Sequence, residues 1–470
     1  MNINEFLFSY TKDVDEQELI LALHNNILDD TSVNPVALNK LDKWEICQNG
    51  NIVHESGKFF SIRGGFSTNT ETGICNFQPI IDQPEQGVLG FISRVKNNTI
   101  EILTQLKMEP GNLGIVQYSP TVQATRSNYS RVHNGKQVAY IDKFIAESDG
   151  STKVIFTDNV VSRGFQSEHG YKFYRKANDN IHVHDNEVEA INGTFVWLSL
   201  NDIRVLSKKS NCVNMDMRSV LSTIDFIGRS LSYSEIFRDI TDGHELEREF
   251  LFSSLSEENS IHSLTEIRTW LDRSKENKKI QSSLISVNDL VDHGWVISDS
   301  TIKNDQNKNF ELVGIKSTVL SREISSWCQP IVKDNVPKVY LFIIKKINNI
   351  FHVLIKLVEE DFGWNGSELG PSIGAIPIEK FNLNKELSKF NIHNTEYSIA
   401  HNSMQSEEGG RFMEQENNYM LIVADNNIDV IMDNNYKWVT LYQLKQMTRY
   451  ECSINIEART LLSIASYYKK

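Results

Sequence analysis

One separation organises this chain. Trp44 recurs 251 residues on as Trp295, and Phe59 as Phe310, Gln78-Pro79-Ile80 as Gln329-Pro330-Ile331, Phe91 as Phe342, Leu103 as Leu354 and Glu109 as Glu360 keep the same spacing. Ser119-Pro120-Thr121-Val122 answers to Gly370-Pro371-Ser372-Ile373. A single offset held over such a run marks an internal duplication. Past Ala124 the first copy carries extra residues and the offset falls, so that Gln166-Ser167-Glu168-His169-Gly170 matches Gln405-Ser406-Glu407-Glu408-Gly409. Asn214, Asp216 and Arg218 match Asn455, Glu457 and Arg459. Repeat one is read at 36–230 and repeat two at 285–470, with a helical lead-in at 1–35 and a helical linker at 231–284.

With 470 residues the chain exceeds the size at which one core stops growing, about 250–300 residues. Within each repeat, FFSIRGGF, GVLGFISRV, NTIEILTQL and KVIFTDNVV have the β-rich alternation of strands, as do the second-copy segments NFELVGIKS, KVYLFIIKK and IFHVLIKLV. MDMRSVLSTIDFIGRSL and INIEARTLLSIASYY have helical spacing and close the two repeats. Further helices are predicted over 13–26, 233–260 and 264–279. The fold class is α+β, a mixed sheet with helices against it, written twice.

Between Glu109 and His133 the sequence changes character. EPGNLGIVQYSPTVQATRSNYSRVH mixes Gly and Pro with hydroxyl, amide and guanidinium side chains, which neither a core strand nor a surface helix requires. Gly and Pro let the backbone turn and approach a ligand. Gln117, Ser119, Thr121, Gln123, Thr125, Asn128 and Tyr129 can exchange hydrogen bonds with it, and Arg126 and Arg131 offer planar forks for phosphate oxygens. Repeat two keeps GPSIGA but has IPIEKFNLN where repeat one has TRSNYSRVH, losing Arg126, Asn128, Tyr129, Arg131 and His133. The paired tryptophans and phenylalanines, retained in both copies, read as packing. Gln166 and Glu168 of the QSE-x-G segment are polar residues beside a glycine, suited to a ligand-facing loop.

The net charge of −13 argues against general affinity for nucleic acid or an anionic membrane, so an anionic ligand needs a locally basic pocket. Five scattered cysteines form no CxxC pair or Cys/His cluster, which disfavours both zinc and a disulfide framework. No basic, apolar leader opens the sequence, and the apolar run at 339–344 is far below the ~20 residues of a membrane span, so a cytoplasmic protein is expected. GHELEREFLFSSLSEE resembles the Nudix hydrolase box, but Phe250, Leu251 and Phe252 stand where carboxylates would hold magnesium, and the segment reads as a packed linker helix.

EPGN followed by SPTVQATRSNY, with QSEHG further on, is similar to the NDP-hexose 2,3-dehydratase family, and the likeness runs along almost the whole chain. The resemblance implies tandem Nudix-like domains without metal-dependent hydrolysis, a homodimer, and no metal or nicotinamide cofactor. It implies a substrate in which a 4-keto-6-deoxyhexose is linked to a nucleoside diphosphate, most often dTDP, in deoxysugar biosynthesis. The C4 ketone acidifies the C3 hydrogen, so a base can form an enolate. The C2 hydroxyl leaves with help from an acid, and the enol tautomerises to a 3,4-diketo-2,6-dideoxy sugar. On this reading Arg126 and Arg131 meet the diphosphate or the enolate. Gln117, Ser119, Thr121, Gln123, Thr125, Asn128, Gln166 and Glu168 hold the sugar and nucleoside, and Tyr129, His133 and Glu109 are the acid/base candidates. The repeat-two pocket is expected to be a remnant. A metal-dependent Nudix-type sugar-nucleotide hydrolase and a non-catalytic sugar-nucleotide-binding protein are the alternatives.

Overall fold

The protein is described here by a computed structural model covering residues 3–25, 32–114, 116–129, 137–146, 155–191, 193–238, 244–304, 310–319, 325–334 and 336–470. Each repeat builds a seven-stranded mixed sheet. In repeat one the order is Val160–Ser167, Ala177–His184, Gly87–Lys96, Thr99–Met108 and Phe195–Ser199, with Val116–Ser119 and Val122–Thr125 paired onto the two inner hairpin strands. Repeat two repeats it with Tyr397–Ser406, Glu416–Ala424, Lys338–Ile347, Ile350–Glu359 and Tyr436–Val439. Each sheet has one parallel pair, Gly87–Lys96 with Ala177–His184 and Lys338–Ile347 with Glu416–Ala424. This is the tandem α+β layout expected from the sequence.

The copies agree down to single side chains. Thr121 donates its hydroxyl to the Leu103 carbonyl and accepts from the Ile92 amide, and Ser372 does the same with Leu354 and Ile343. Asn214 caps helix Met215–Thr223 and Asn455 caps helix Ile456–Ser466, each accepting a backbone N–H three residues on. One sequence pairing shifts. Trp295 packs on Phe310 with ring centroids 5.3 Å apart, and its counterpart Trp44 packs on Phe60 at 4.9 Å, so Phe60 rather than Phe59 is the equivalent of Phe310. A one-residue difference in the hairpin before it accounts for the slip.

Most predicted elements form where expected; the zone 233–260 instead gives helices Tyr233–Phe237 and Glu245–Leu255, and three further differences appear. KVIFTDNVV yields two short strands, Ile155–Phe156 and Val160–Ser167, split at a turn. The helix of MDMRSVLSTIDFIGRSL ends at Thr223, where Ile224 is extended. A further helix, Ile3–Thr11, packs Phe6, Leu7 and Tyr10 into the repeat-one core. Linker helix Glu245–Leu255 buries Phe250, Leu251, Phe252 and Leu255, while Glu247 and Glu249 pair with Arg204 and Lys346. Two of its acids are thus committed to ion pairs.

The repeats are not separate bodies. Ser32–Val36, ahead of repeat one, adds antiparallel to Glu311–Thr318 of repeat two. Ile280–Ile285, ahead of repeat two, adds antiparallel to Ser61–Asn69 of repeat one. The Trp44 indole donates to the Cys328 carbonyl at 2.7 Å and the Trp295 indole to the Phe77 carbonyl at 2.8 Å, so this bond too is exchanged. Ile62, Ile81 and Phe173 share one core with Leu312, Val332 and Phe412.

Glycine makes room for the exchange. A Cβ at Gly64 would lie 2.4 Å from the Ser286 carbonyl oxygen, and one at Gly314 would lie 2.4 Å from that of Val36. Gly64→Ala and Gly314→Ala should each cost about 1–3 kcal/mol, as overpacking against backbone does. Hydrogen exchange should show where: Gly314→Ala should loosen 32–36 and Gly64→Ala should loosen 280–285. Loosening confined to the mutated repeat's own strands would contradict the exchange.

Candidate active site

The two QSE-x-G loops are crossed. The Gly111 amide of repeat one donates to the Gly409 carbonyl of repeat two at 2.7 Å, and a Cβ at Gly111 would lie 1.7 Å from the Phe412 carbonyl oxygen, so no other residue fits. Reciprocally, the Phe362 amide donates to the Gly170 carbonyl at 2.8 Å, and the Gly170 amide to Glu360 Oε2 at 2.7 Å. Each loop therefore carries its fourth residue into the other repeat. Glu408 enters the repeat-one pocket and His169 enters the corresponding place in repeat two.

The repeat-one pocket lies over the ends of Gly87–Lys96, Thr99–Met108 and Ala177–His184. Its floor is Lys107, Glu109, Gln123, Glu168, Lys176, Asn178 and Asp216, closed by Glu408, Gly410 and Arg411 of repeat two. One wall is aromatic, with Trp44, Phe59 and Phe60 facing Trp327, and Lys43 and Arg411 stand beside it. The Arg411 guanidinium lies 4.1 Å over the Phe60 ring and donates to Gln83 Oε1 at 3.3 Å.

The floor is an array of oriented acids. Glu168 Oε1 accepts from Gln166 Nε2 at 2.9 Å and from Asn178 Nδ2, and its Oε2 is buried without a hydrogen bond among the described residues. Glu109 Oε1 accepts from Gln123 Nε2 at 2.9 Å and lies 3.6 Å from Lys107 Nζ. Gln123 Oε1 is held in turn by Asn214 Nδ2 at 3.1 Å, the cap of the helix whose first turn bears Asp216. Burial, reinforced by Glu408, Glu168 and Glu109, pushes the Asp216 carboxyl well above the carboxylate range. Burial and Glu168 push Glu408 up to about 7 against the pull of Arg411. Burial lowers Lys176 to about 8 although Glu168 and Glu408 oppose it. Acids raised and an amine lowered toward neutrality are what proton transfer in both directions requires.

The NDP-hexose 2,3-dehydratase family matches this chain twice, over residues 23–224 and 264–465. The chain belongs to the NDP-hexose 2,3-dehydratase family. Similar relatives are a dTDP-4-dehydro-6-deoxy-alpha-D-glucopyranose 2,3-dehydratase of Saccharopolyspora spinosa, 30% identical over 92% of this chain and 87% of the relative. Proteins of the same description from Amycolatopsis orientalis and Streptomyces violaceoruber are each 31% identical, over 92% and 91% of this chain and 86% and 91% of their own lengths. Among solved structures, an ADP compounds hydrolase aligns on 34% of this chain and 89% of its own at 12% identity and a TM-score of 0.24, too low to bear on function.

In this family member, Glu109, Thr121, Gln123, Thr125, Asn128 and Glu168 line the pocket. Thr121 does so with its hydroxyl already engaged in the sheet. Gln117 donates to Ser406 Oγ at 2.8 Å across the repeat junction, Ser119 donates to the Gln105 carbonyl, and buried Gln166 orients Glu168, so these three stand behind the lining. Arg126 and Tyr129 are half-buried beside Asn128 and outside the lining. Burial raises the Tyr129 phenol, with Arg126 opposing. Arg131 and His133 lie outside the described residues. Lys107, Lys176, Asn178, Asp216, Glu408 and Arg411 escaped the sequence reading. Two of them had a signal, since Lys107 and Lys176 stand where repeat two has Val358 and Gln415.

The corresponding place in repeat two is filled. Leu89 and Asn180 face each other on one rung of the repeat-one sheet; Tyr340 and Tyr419 occupy that rung in repeat two, stacked at 5.6 Å. The Tyr419 hydroxyl donates to Glu407 Oε1 at 3.0 Å. His169 Nε2 lies 2.8 Å from Glu407 Oε2, and its Nδ1 lies 3.2 Å from Glu457 Oε1. Burial opposes a charge on His169, but Glu407 and Glu457 outweigh it and hold the imidazole well above its ordinary 6.5. Burial likewise opposes the Glu407 charge, yet His169, Arg218 and Asn417 hold it at about 2.

The raised histidine contributes stability that is complete below pH 6.5 and fades as pH rises through its folded value. The depressed glutamate contributes stability that is complete above 4.5 and fades on acidification toward about 2. The clasp is therefore fullest between those two values. Glu407→Gln should cost about 3 kcal/mol or more near pH 6, the expense of an unpaired buried charge. The difference in Tm from the parent should narrow as pH rises above 6.5 and His169 sheds its proton. A penalty independent of pH would contradict the clasp.

Proposed function

We propose that the repeat-one pocket binds a dTDP-linked 4-keto-6-deoxyglucose and removes its C2 hydroxyl, leaving the 3,4-diketo-2,6-dideoxy sugar. The observation that carries this reading is the floor of four carboxyls and two amines beside an aromatic wall. Trp44, Phe60 and Trp327 offer flat apolar faces to a nucleobase, and Arg411 and Lys43 offer cations to the diphosphate at the foot of that wall. The keto-sugar then reaches the acids. Glu168, oriented by two amide donors, takes the C3 hydrogen. Lys107 or Lys176 neutralises the enolate that forms at the C4 oxygen. Expulsion of the C2 hydroxyl and tautomerisation complete a loss of water in which nothing is oxidised or reduced overall.

Arg126 borders the pocket next to Asn128 and is kept as a second contact for the diphosphate, to be ranked against Arg411 by the same kinetics. A cytoplasmic homodimer is part of this reading; among the described residues no helix is long and apolar enough to cross a membrane.

Incubation with dTDP-4-keto-6-deoxyglucose in EDTA, read by mass spectrometry, should show loss of one water with the diphosphate intact. Magnesium-dependent release of nucleoside monophosphate would favour a hydrolase, and binding without turnover a carrier. Glu168→Gln should lower kcat by about a hundredfold or more, within the range lost with a general base. Arg411→Ala should act mainly on KM, raising it roughly tenfold to a hundredfold for a lost charge-assisted contact of about 1.5–3 kcal/mol. Near-parental kinetics for both would remove this pocket from consideration.

A further inference from the structure

The duplication supplies an internal control for the acids of the pocket. In repeat two, the residue delivered by the crossed loop is His169, and it lies between Glu407 and Glu457. In repeat one, the residue delivered by the crossed loop is Glu408, and it faces Glu168 and Asp216, the counterparts of those two glutamates. One fold thus holds two versions of a three-residue arrangement. The version with histidine is neutralised, shielded and stacked behind two tyrosines. The version with glutamate sets three acids against one another with Glu109 as a fourth.

Like charges brought together under burial destabilise a fold, and the second copy displays the one-residue change that relieves it. Retaining the third acid where the pocket is open, and not where it is closed, points to chemistry. Of the four acids Glu408 is also the most accessible, half-buried where Glu109, Glu168 and Asp216 are buried. A Cβ at Gly410 would lie 3.1 Å from Glu408 Oε1 and 3.5 Å from Glu109 Oε1, so the bare glycine keeps one small opening in front of both carboxyls.

We propose, on the dehydratase reading above, that Glu408 is the catalytic acid that protonates the departing C2 hydroxyl, supplied to the repeat-one pocket by repeat two. Glu168 takes the C3 hydrogen and the enolate forms. Its electrons then close the C2–C3 double bond as the C2–O bond breaks, and the carboxyl proton of Glu408 leaves with the hydroxyl as water. The resulting carboxylate is restored when a proton returns from solvent; protonation at C2 with loss of the C3 hydroxyl proton completes the diketone, and Glu168 gives up the proton it took. The raised carboxyl of Glu408 fits a group that must hold a proton near neutrality.

Three variants and three readouts test this. Glu408→Gln and Glu408→His should each lower the dehydration kcat by at least a hundredfold, while Glu408→Asp keeps a measurable fraction. In D2O, Glu408→Gln should still exchange the substrate C3 hydrogen for deuterium within about tenfold of the parental turnover, because the enolate forms and returns. Glu408→His rebuilds the arrangement of repeat two, so its Tm should equal or exceed that of the parent although it is inactive. Dehydration by Glu408→Gln within fivefold of the parent overturns the assignment. So does joint loss of exchange and turnover, which would make Glu408 the base or a structural group. A parent enzyme that neither dehydrates nor exchanges the keto-sugar would instead overturn the dehydratase reading itself, and the assignment with it.

Discussion

Two backbone contacts, Gly111 on Gly409 and Gly170 on Phe362, are what the pocket depends on. Each closes a turn of one repeat onto the loop of the other with no side chain between them, and each glycine is confined by main-chain atoms of the opposite repeat. Backbone against backbone leaves little play. The crossing sets how far Glu408 projects over Glu168 and Asp216, and so sets the electrostatics of the floor. Arg218 and Arg459, fully buried, reinforce it reciprocally by donating to the Ser406 and Phe165 carbonyls of the opposite repeat.

From that symmetric junction the two halves part in charge and volume. In repeat two, two stacked tyrosines replace Leu89 and Asn180, and a histidine lies between two glutamates. In repeat one, the same positions are small, amide-bearing or like-charged, so space and unrelieved electrostatic tension occur together. The stable half carries the clasp and the open half carries the acids. A protein of this build can hold a strained site because most of its contacts belong to a scaffold present twice.

The duplication, the α+β class and the central hairpin strands of both seven-stranded sheets were legible in the sequence, because hydrophobic alternation and a fixed offset survive without any knowledge of contacts; the exchanged strands Ser32–Val36 and Ile280–Ile285 were not. Part of the pocket was legible too. Glu109, Gln123 and Asn128 lie in a segment whose Gly, Pro and amide content fits no ordinary element, and Glu168 stands out beside a glycine. Gln117 and Ser119 share that composition but, two apart on one short strand, lie on its same face and spend their hydrogen bonds on Ser406 and the Gln105 carbonyl. Lys107 and Lys176 sit inside strand-like or turn-like text and announce themselves only by contrast with Val358 and Gln415. Glu408 sits in the second copy of QSE-x-G, a loop the sequence flags without saying which repeat's pocket it serves. Its meaning comes from the other repeat, at a sequence distance that periodicity cannot bridge.

The exchanged strands have a consequence for descent. A subunit that lends an edge strand to its twin, and borrows the same strand back across a two-fold axis, is the geometry of a strand-swapped homodimer. Here the two subunits are consecutive on one polypeptide, tied by the helices between them. In a true dimer any substitution appears in both sites at once, so a tyrosine plug or a histidine clasp would close every pocket in the assembly. Fusion into a single gene releases that constraint. One half is then free to become ballast while the other keeps its chemistry, and each half remains indispensable because neither owns all of its own sheet.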